Sequence, residues 1–307
     1  MLLKVYHNFK QLRREALMLI VQQLINALQL GSIYALIALG YSMVYGIIKL
    51  LNFAHGDVIM VGGYIAIFTL AAGMHPILAI LVVIIGCVAL AVIMEKLAYT
   101  PLRSAPRISV LITAIGISIL LQNLAQFFFE ARPRPIHIPF PQGNLDIGPI
   151  SLAYPMLITI GIAVASMITL SYIVNGTKLG KAMRAVSEDM DAARLMGINV
   201  NNIITFTFAV GAALAGIGAI LFFVRFPVVT PTAGALLGLK AFIAAVFGGI
   251  GSIPGAVLGG FAIGFLQTFI NAIGLSRWTD GVVYLVLIII LLVRPSGLLG
   301  KPMIEKV

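Results

Sequence analysis

The residues able to do chemistry in this chain are few and scattered. Four histidines, His7, His55, His75 and His137, sit in separate segments, and the one cysteine, Cys87, lies inside the apolar run Ile80–Met94. A metal site needs several such ligands at short spacing, and a single thiol gives neither a disulfide nor a CxxC pair. No H-E-x-x-H occurs, nor any G-x-x-x-x-G-K-[ST] phosphate loop. The string Gly249-Ile250-Gly251-Ser252-Ile253-Pro254 misses the dinucleotide pattern and follows an apolar helix, not a strand. No catalytic residue, cofactor site or metal site is therefore assigned, and the chain is expected not to be an enzyme.

What remains is polar or glycine-rich sequence set inside apolar sequence. One interruption, Leu50–Asp57, carries Asn52, His55, Gly56 and Asp57; another, Phe247–Gly255, carries Gly248, Gly249, Gly251 and Pro254. Glycine and proline break helices, and a broken helix in lipid must be buried in protein or line a cavity. One such break in each half points to a transport path, although each also reads as a turn or a tight helix crossing. Lys240 lies within an apolar run, where an ionisable group marks a pathway or snorkels to the interface. Asn52, His55, Lys240, Gly248, Gly249, Gly251 and Pro254 are thus the candidate pathway or gating residues. Asp57 reads either as a cap for a helix starting at Val58 or as a gating partner of His55. Gln122 and Gln126, four apart, share a helix face suited to bonding between helices.

A third stretch, Asn175–Asn202, mixes charged and apolar residues between two apolar runs. It reads as an amphipathic helix between glycine stops, with Ala182, Ala185, Ala192, Leu195 and Met196 on one packed face. Arg184, Glu188, Asp189 and Asp191 are then available to bond a partner, and Arg184 and Glu188 can pair across a turn. A solvated interfacial helix is the plainer alternative.

The elements that hold these residues follow from composition. Hydrophobic residues make up 61% of the 307 and charged residues 10%, with a mean hydropathy of +1.09. Soluble domains run at roughly 45–50% apolar and about 25% charged, so the solvent here is a bilayer. Runs long enough to span it are Ala16–Ile48, Val58–Ala72, Ile77–Leu97, Ile108–Phe129, Ile150–Val174, Ile203–Val224, Ala235–Ile273 and Val282–Val293. The expected fold is all-α: a single transmembrane domain over residues 1–307, about eight helices, two segments broken or re-entrant. The net charge of +10 sits in short loops, which argues against nucleic acid and for the positive-inside pattern of a protein partnered by membrane lipid. Lys49, Lys96, Arg103, Arg107, Lys178, Lys181, Arg184, Arg194, Arg294, Lys301 and Lys306 are assigned to the cytoplasm, as are Lys4, Lys10, Arg13 and Arg14.

That assignment conflicts with parity, because only one long run joins the basic N-terminal segment to Lys49. Either the run folds as a hairpin near Gly31–Ser32, or its start lies outside. The run is too long for a signal-peptide core and reads as a retained span. Between Arg132 and Gly148 proline is dense enough to exclude helix, giving an extended external loop. Acids are too sparse within the apolar runs for a proton relay, so an external energy source is expected.

Three blocks in order resemble a known family. They are Leu36–Ile48 followed by Asn52-Phe53-Ala54-His55-Gly56-Asp57; Gly180…Arg184-Ala185…Glu188-Asp189…Ala192…Leu195-x-Gly197-Ile198; and Lys240–Ala256. The ending Arg294-Pro295-Ser296-Gly297-Leu298-Leu299-Gly300 fits as well. From about residue 28 onward the chain resembles the branched-chain amino acid permeases of ATP-binding cassette importers, the H-type subunit above all, with Ser187 standing where such permeases commonly carry Ala. The resemblance implies a multi-pass protein of the bacterial cytoplasmic (inner) membrane. It implies pairing with a second homologous permease, two ATP-binding cassette subunits that hold the ATP, and a periplasmic or extracellular solute-binding protein. It makes Gly180, Arg184, Glu188, Asp189 and Gly197 the ATPase-coupling loop. Leucine, isoleucine and valine are the implied solutes, with urea or short amides, or an ATP-independent channel, as alternatives.

Overall fold

The computed structural model describes residues 2–300 apart from Ser104 and Pro149. His7, Lys4, Lys10, Arg13, Arg14, Arg107, Lys301 and Lys306 lie outside the described side chains. Eleven helices follow in order: α1 Leu2–Ile48, α2 His55–Ala71, α3 Pro76–Met94, α4 Arg107–Phe129, α5 Tyr154–Gly176, α6 Lys178–Glu188, α7 Met190–Leu195, α8 Val200–Arg225, α9 Ala233–Gly248, α10 Ile253–Ala272 and α11 Thr279–Val293. A π turn, Glu95–Tyr99, extends α3. Among the described residues, seven helices are long and apolar enough to cross a bilayer, and α2 and α9 are shorter apolar helices. The all-α membrane fold is as expected.

The two double-length runs resolve differently. Ala235–Ile273 is two helices, because Gly249 and Gly251 take φ of 109° and 89°, a region that suits glycine and ends α9. Ala16–Ile48 is one unbroken stretch of α1, so the hairpin near Gly31–Ser32 does not form. Gly31 serves a crossing instead. A Cβ there would stand 2.8 Å from the Phe261 ring, and one on Gly264 would strike the Gly31 backbone. One on Gly260 would likewise strike Ala35. Small residues four apart on each helix thus bring the α1 and α10 backbones together. The start of α1 and Lys49 consequently stand at opposite ends of the bundle, the second of the two parity alternatives.

α1 is the axis of the core: Ile33, Ala35, Leu36, Ile37, Ala38 and Leu39 are fully buried. It packs on α5, α8, α9 and α10, while α2 and α3 close the far side of α8. α4 and α11 lie outermost with largely exposed apolar faces, as lipid-facing helices require. At one end, the basic end, α6 meets the last turn of α1. At the other, the proline-rich loop is extended, as anticipated: β1 (Arg134–Pro135) pairs with β4 (Val228–Val229), and β2 (Asn144–Ile147) with β3 (Ile150–Ala153).

Candidate transport and coupling sites

The second interruption meets the last two turns of α1 at the basic end of the bundle, whereas the first packs on the middle of α9, Phe53 against Phe242 with ring centroids 5.7 Å apart. Ser42, nearly two turns from the end of α1, accepts a hydrogen bond from the Gly251 N–H at 2.8 Å. A Cβ on Gly251 would lie 3.2 Å from the Gly46 Cα, so both positions are held to glycine by close backbone approach. Gly248 and Gly249 form the end of α9, and Pro254 stands in the first turn of α10, where its missing N–H costs nothing. The last carbonyls of α9 would be unsatisfied. The tail closes them: Leu298 N–H donates to Phe247 O at 2.9 Å and Leu299 N–H to Gly248 O at 2.8 Å. The Arg294–Gly300 motif therefore has a local physical role as a cap.

The first interruption is buried. Asn52 accepts from the Tyr99 hydroxyl at 2.8 Å, and His55 lies edge-on to the Tyr41 ring, centroids 5.2 Å apart. Asp57 does not cap a helix at Val58. The helix begins at His55 with Ala54 at its cap, and the Asp57 carboxylate accepts from Gln122 Nε2 at 3.2 Å. Gln122 thus bonds between helices as its spacing suggested, whereas Gln126 is exposed. Gly56 seats α2 on α9, since a Cβ there would strike Gly234 O. The Tyr41 hydroxyl, His55 Nε2 and Asp57 Oδ2 are buried without a hydrogen-bond partner, a condition that marks hydrated or functional positions.

Lys240 points away from the breaks, toward the first turn of α11. Its Nζ pairs with Asp280 Oδ1 of α11 at 2.7 Å.

The polar stretch Asn175–Asn202 is two helices, not one. Asp189 ends α6 and caps α7, accepting from the Asp191 and Ala192 N–H groups at 2.9 and 3.0 Å. The packed face is Gly180, Met183 and Val186 with Ala193. Leu195 and Met196, expected on that face, are 90% and 82% exposed, because the chain changes direction at Asp189. Arg184 donates to the Val174 carbonyl instead of pairing with Glu188, which is exposed. Gly197, at φ 81°, closes α7 in the left-handed region that favours glycine. Between α6 and the break lies a small cavity lined by Ser42, Gly46, Met183, Arg184, Ser187 and Gly251.

One network escaped the sequence reading. Glu95 is fully buried, paired with Arg103, and accepts from Thr100 at 2.7 Å and Thr205 of α8 at 2.9 Å. Arg103 also donates to Asn201. A Glu-Lys pair at a helix end reads as an interface marker; Arg103 and Thr100 lie near Glu95 in sequence, whereas Thr205 and Asn201 come from α8 and carry no local signal.

A bundle of apolar helices, with a short polar helix, α6, packed beside the α9–α10 turn at its basic end, defines a polytopic membrane protein built around a glycine-lined crossing. The chain belongs to the family described as the branched-chain amino acid transport system / permease component, whose model matches residues 23–292. It is 41% identical to the high-affinity branched-chain amino acid transport system permease protein BraD of Pseudomonas aeruginosa, covering 94% of this chain and 98% of that one. Identity to the corresponding permease protein LivH of Escherichia coli is 38%, over 95% and 99%. The probable branched-chain amino acid transport permease protein LivH of Methanocaldococcus jannaschii is 28% identical, over 88% and 89%. These relatives are transport permeases.

Proposed function

We propose that this chain is the membrane-spanning permease subunit of an ATP-binding cassette importer for leucine, isoleucine and valine in the bacterial cytoplasmic (inner) membrane. The 41% identity to BraD over nearly the whole of both chains carries this reading. In it, the chain forms one transmembrane domain and binds no cofactor. ATP belongs to two cassette subunits, a second homologous permease completes the pathway, and a solute-binding protein outside delivers the amino acid.

α6 and α7 are the docking site for a cassette. The exposed Leu195 and Met196 support this, since apolar side chains so open at an aqueous face mark interaction surfaces. Gly180, Arg184, Glu188, Asp189 and Gly197 shape or line that site. Closure of the cassettes pushes α6 against the Ser42–Gly251 contact, and so against the ends of α1 and α9. Asn52, His55, Gly248, Gly249, Gly251 and Pro254 then belong to the moving gate, with Lys240 nearer the opposite mouth.

Reconstitution with cassette and binding subunits in proteoliposomes tests the reading. Uptake of the three amino acids should require both ATP and the binding protein, with no uptake of urea. Urea import would move the chain to the amide carriers, and flux through this chain alone would make it a channel. Glu188→Ala, on an exposed position, should lower uptake per ATP hydrolysed by about tenfold, within the usual range of a coupling free energy. Unchanged uptake would remove Glu188 from the coupling site.

A further inference from the structure

A cavity of about 400 Å³ opens at the end of the bundle away from the coupling helices, among α1, α8, α9, α10 and α11. Its walls are of two kinds. Leu30, Phe222, Phe226 and Leu237 make an apolar side. Lys240 lines the other, its ammonium held by Asp280, the neighbour of the lining residue Thr279. Tyr34 donates to Gln267 Oε1 at 2.8 Å beneath them.

A lysine in a membrane helix is costly unless it meets water or an opposite charge. Here it has both, because its side chain is 17% exposed and that of Asp280 50%. An ion pair so open to water is weakly held. Opening it is costly only if a charge is then left alone in the cavity. A solute that carries one positive and one negative group on a single carbon opens the pair without that penalty. An α-amino acid does this: its carboxylate accepts from Lys240 Nζ while its ammonium donates to the Asp280 carboxylate. An aliphatic side chain then lies against Phe222 and Leu237. A neutral solute such as urea leaves the ion pair closed and gains nothing from it, so the same pair discriminates between solutes.

We propose that this cavity is a subsite at the outer mouth of the pathway, and that it takes the zwitterionic head of an α-amino acid between Lys240 and Asp280. The inference rests on the importer reading above and adds to it the two residues that hold the substrate. The assembled complex in proteoliposomes, supplied with leucine-loaded binding protein, tests it by leucine uptake and by stimulation of ATP hydrolysis. Lys240→Met and Asp280→Asn should each lower uptake about tenfold or more, because each leaves one charged end of the amino acid without its partner. Stimulation of hydrolysis by the loaded binding protein should persist, and Lys240→Arg should keep most uptake.

The double variant Lys240→Met/Asp280→Leu replaces the ion pair with an apolar contact between α9 and α11, and leaves no charge unpaired should a single variant fail to insert. If it imports leucine at the parental rate, the pair is only a clasp between helices and the proposal is wrong. If the parental complex imports no leucine at all, the importer reading falls and takes this inference with it.

Discussion

Glu95 is fully buried at the end of α3, and four groups answer it: Arg103, Thr100, Thr205 and, through Arg103, Asn201. Removing one partner of a buried ion pair costs about 3–5 kcal/mol. Arg103 keeps some access to water, so Glu95→Gln should fall at the lower end, read as a drop in melting temperature of the purified protein in detergent. Tyr99→Phe strips Asn52 of its donor; a buried acceptor left unsatisfied costs about 1–3 kcal/mol, and the same measurement checks it. These residues were visible in the sequence as types, but their roles were not. Asn52 and Tyr99 are far apart along the chain, and nothing local to Lys240 names Asp280 as its partner. Asp57 was misread for the same reason. A carboxylate beside a helix start suggests a cap until the distant amide of Gln122 is seen to claim it.

Among elements, the crossing of α1 and α10 depends on Gly31, Gly260 and Gly264 having no side chains. Gly264→Val would push the helices apart. Overpacking of a close contact costs about 1–3 kcal/mol, so folded yield should fall and melting temperature with it, whereas Gly116→Ala, facing open space on α4, should change neither. The helices themselves were legible from apolar length, and the proline-rich loop from the residues that forbid helix. The break in Ala235–Ile273 was legible from Gly248, Gly249, Gly251 and Pro254, and α9 ends and α10 begins there. The continuity of Ala16–Ile48 through Gly31 was not legible. What separates them is whether glycine meets a helix across the way, as Gly31 does, or adopts positive φ, as Gly249 and Gly251 do. The α6–α7 corner was likewise hidden. Asp189→Ala should cost about 1 kcal/mol of helix stability as a lost cap, and hydrogen exchange at the Asp191 and Ala192 amides should quicken.

Across the whole molecule, the reading of a permease from three ordered blocks agrees with the family and with its relatives. Sequence order placed one break in each half. It did not show that the second break meets α1, since Ser42 reaching Gly251 is a product of how α1 packs against α9 and α10. That contact makes the basic end one mechanical unit, in which α6, the end of α1 and the α9–α10 turn shift together. Ser42→Ala should therefore slow uptake more than it lowers melting temperature, measured on the same reconstituted complex.

The tail that caps α9 has a consequence for biosynthesis. Leu298 and Leu299 leave the ribosome only after α10 and α11 have been made, so the turn they close must wait, open, while the last two helices enter the membrane. A chain stopped after Val293 would insert every helix yet keep that turn ajar. It should be cut between Gly248 and Ile253 by a protease added to inverted vesicles, while the longer chain resists.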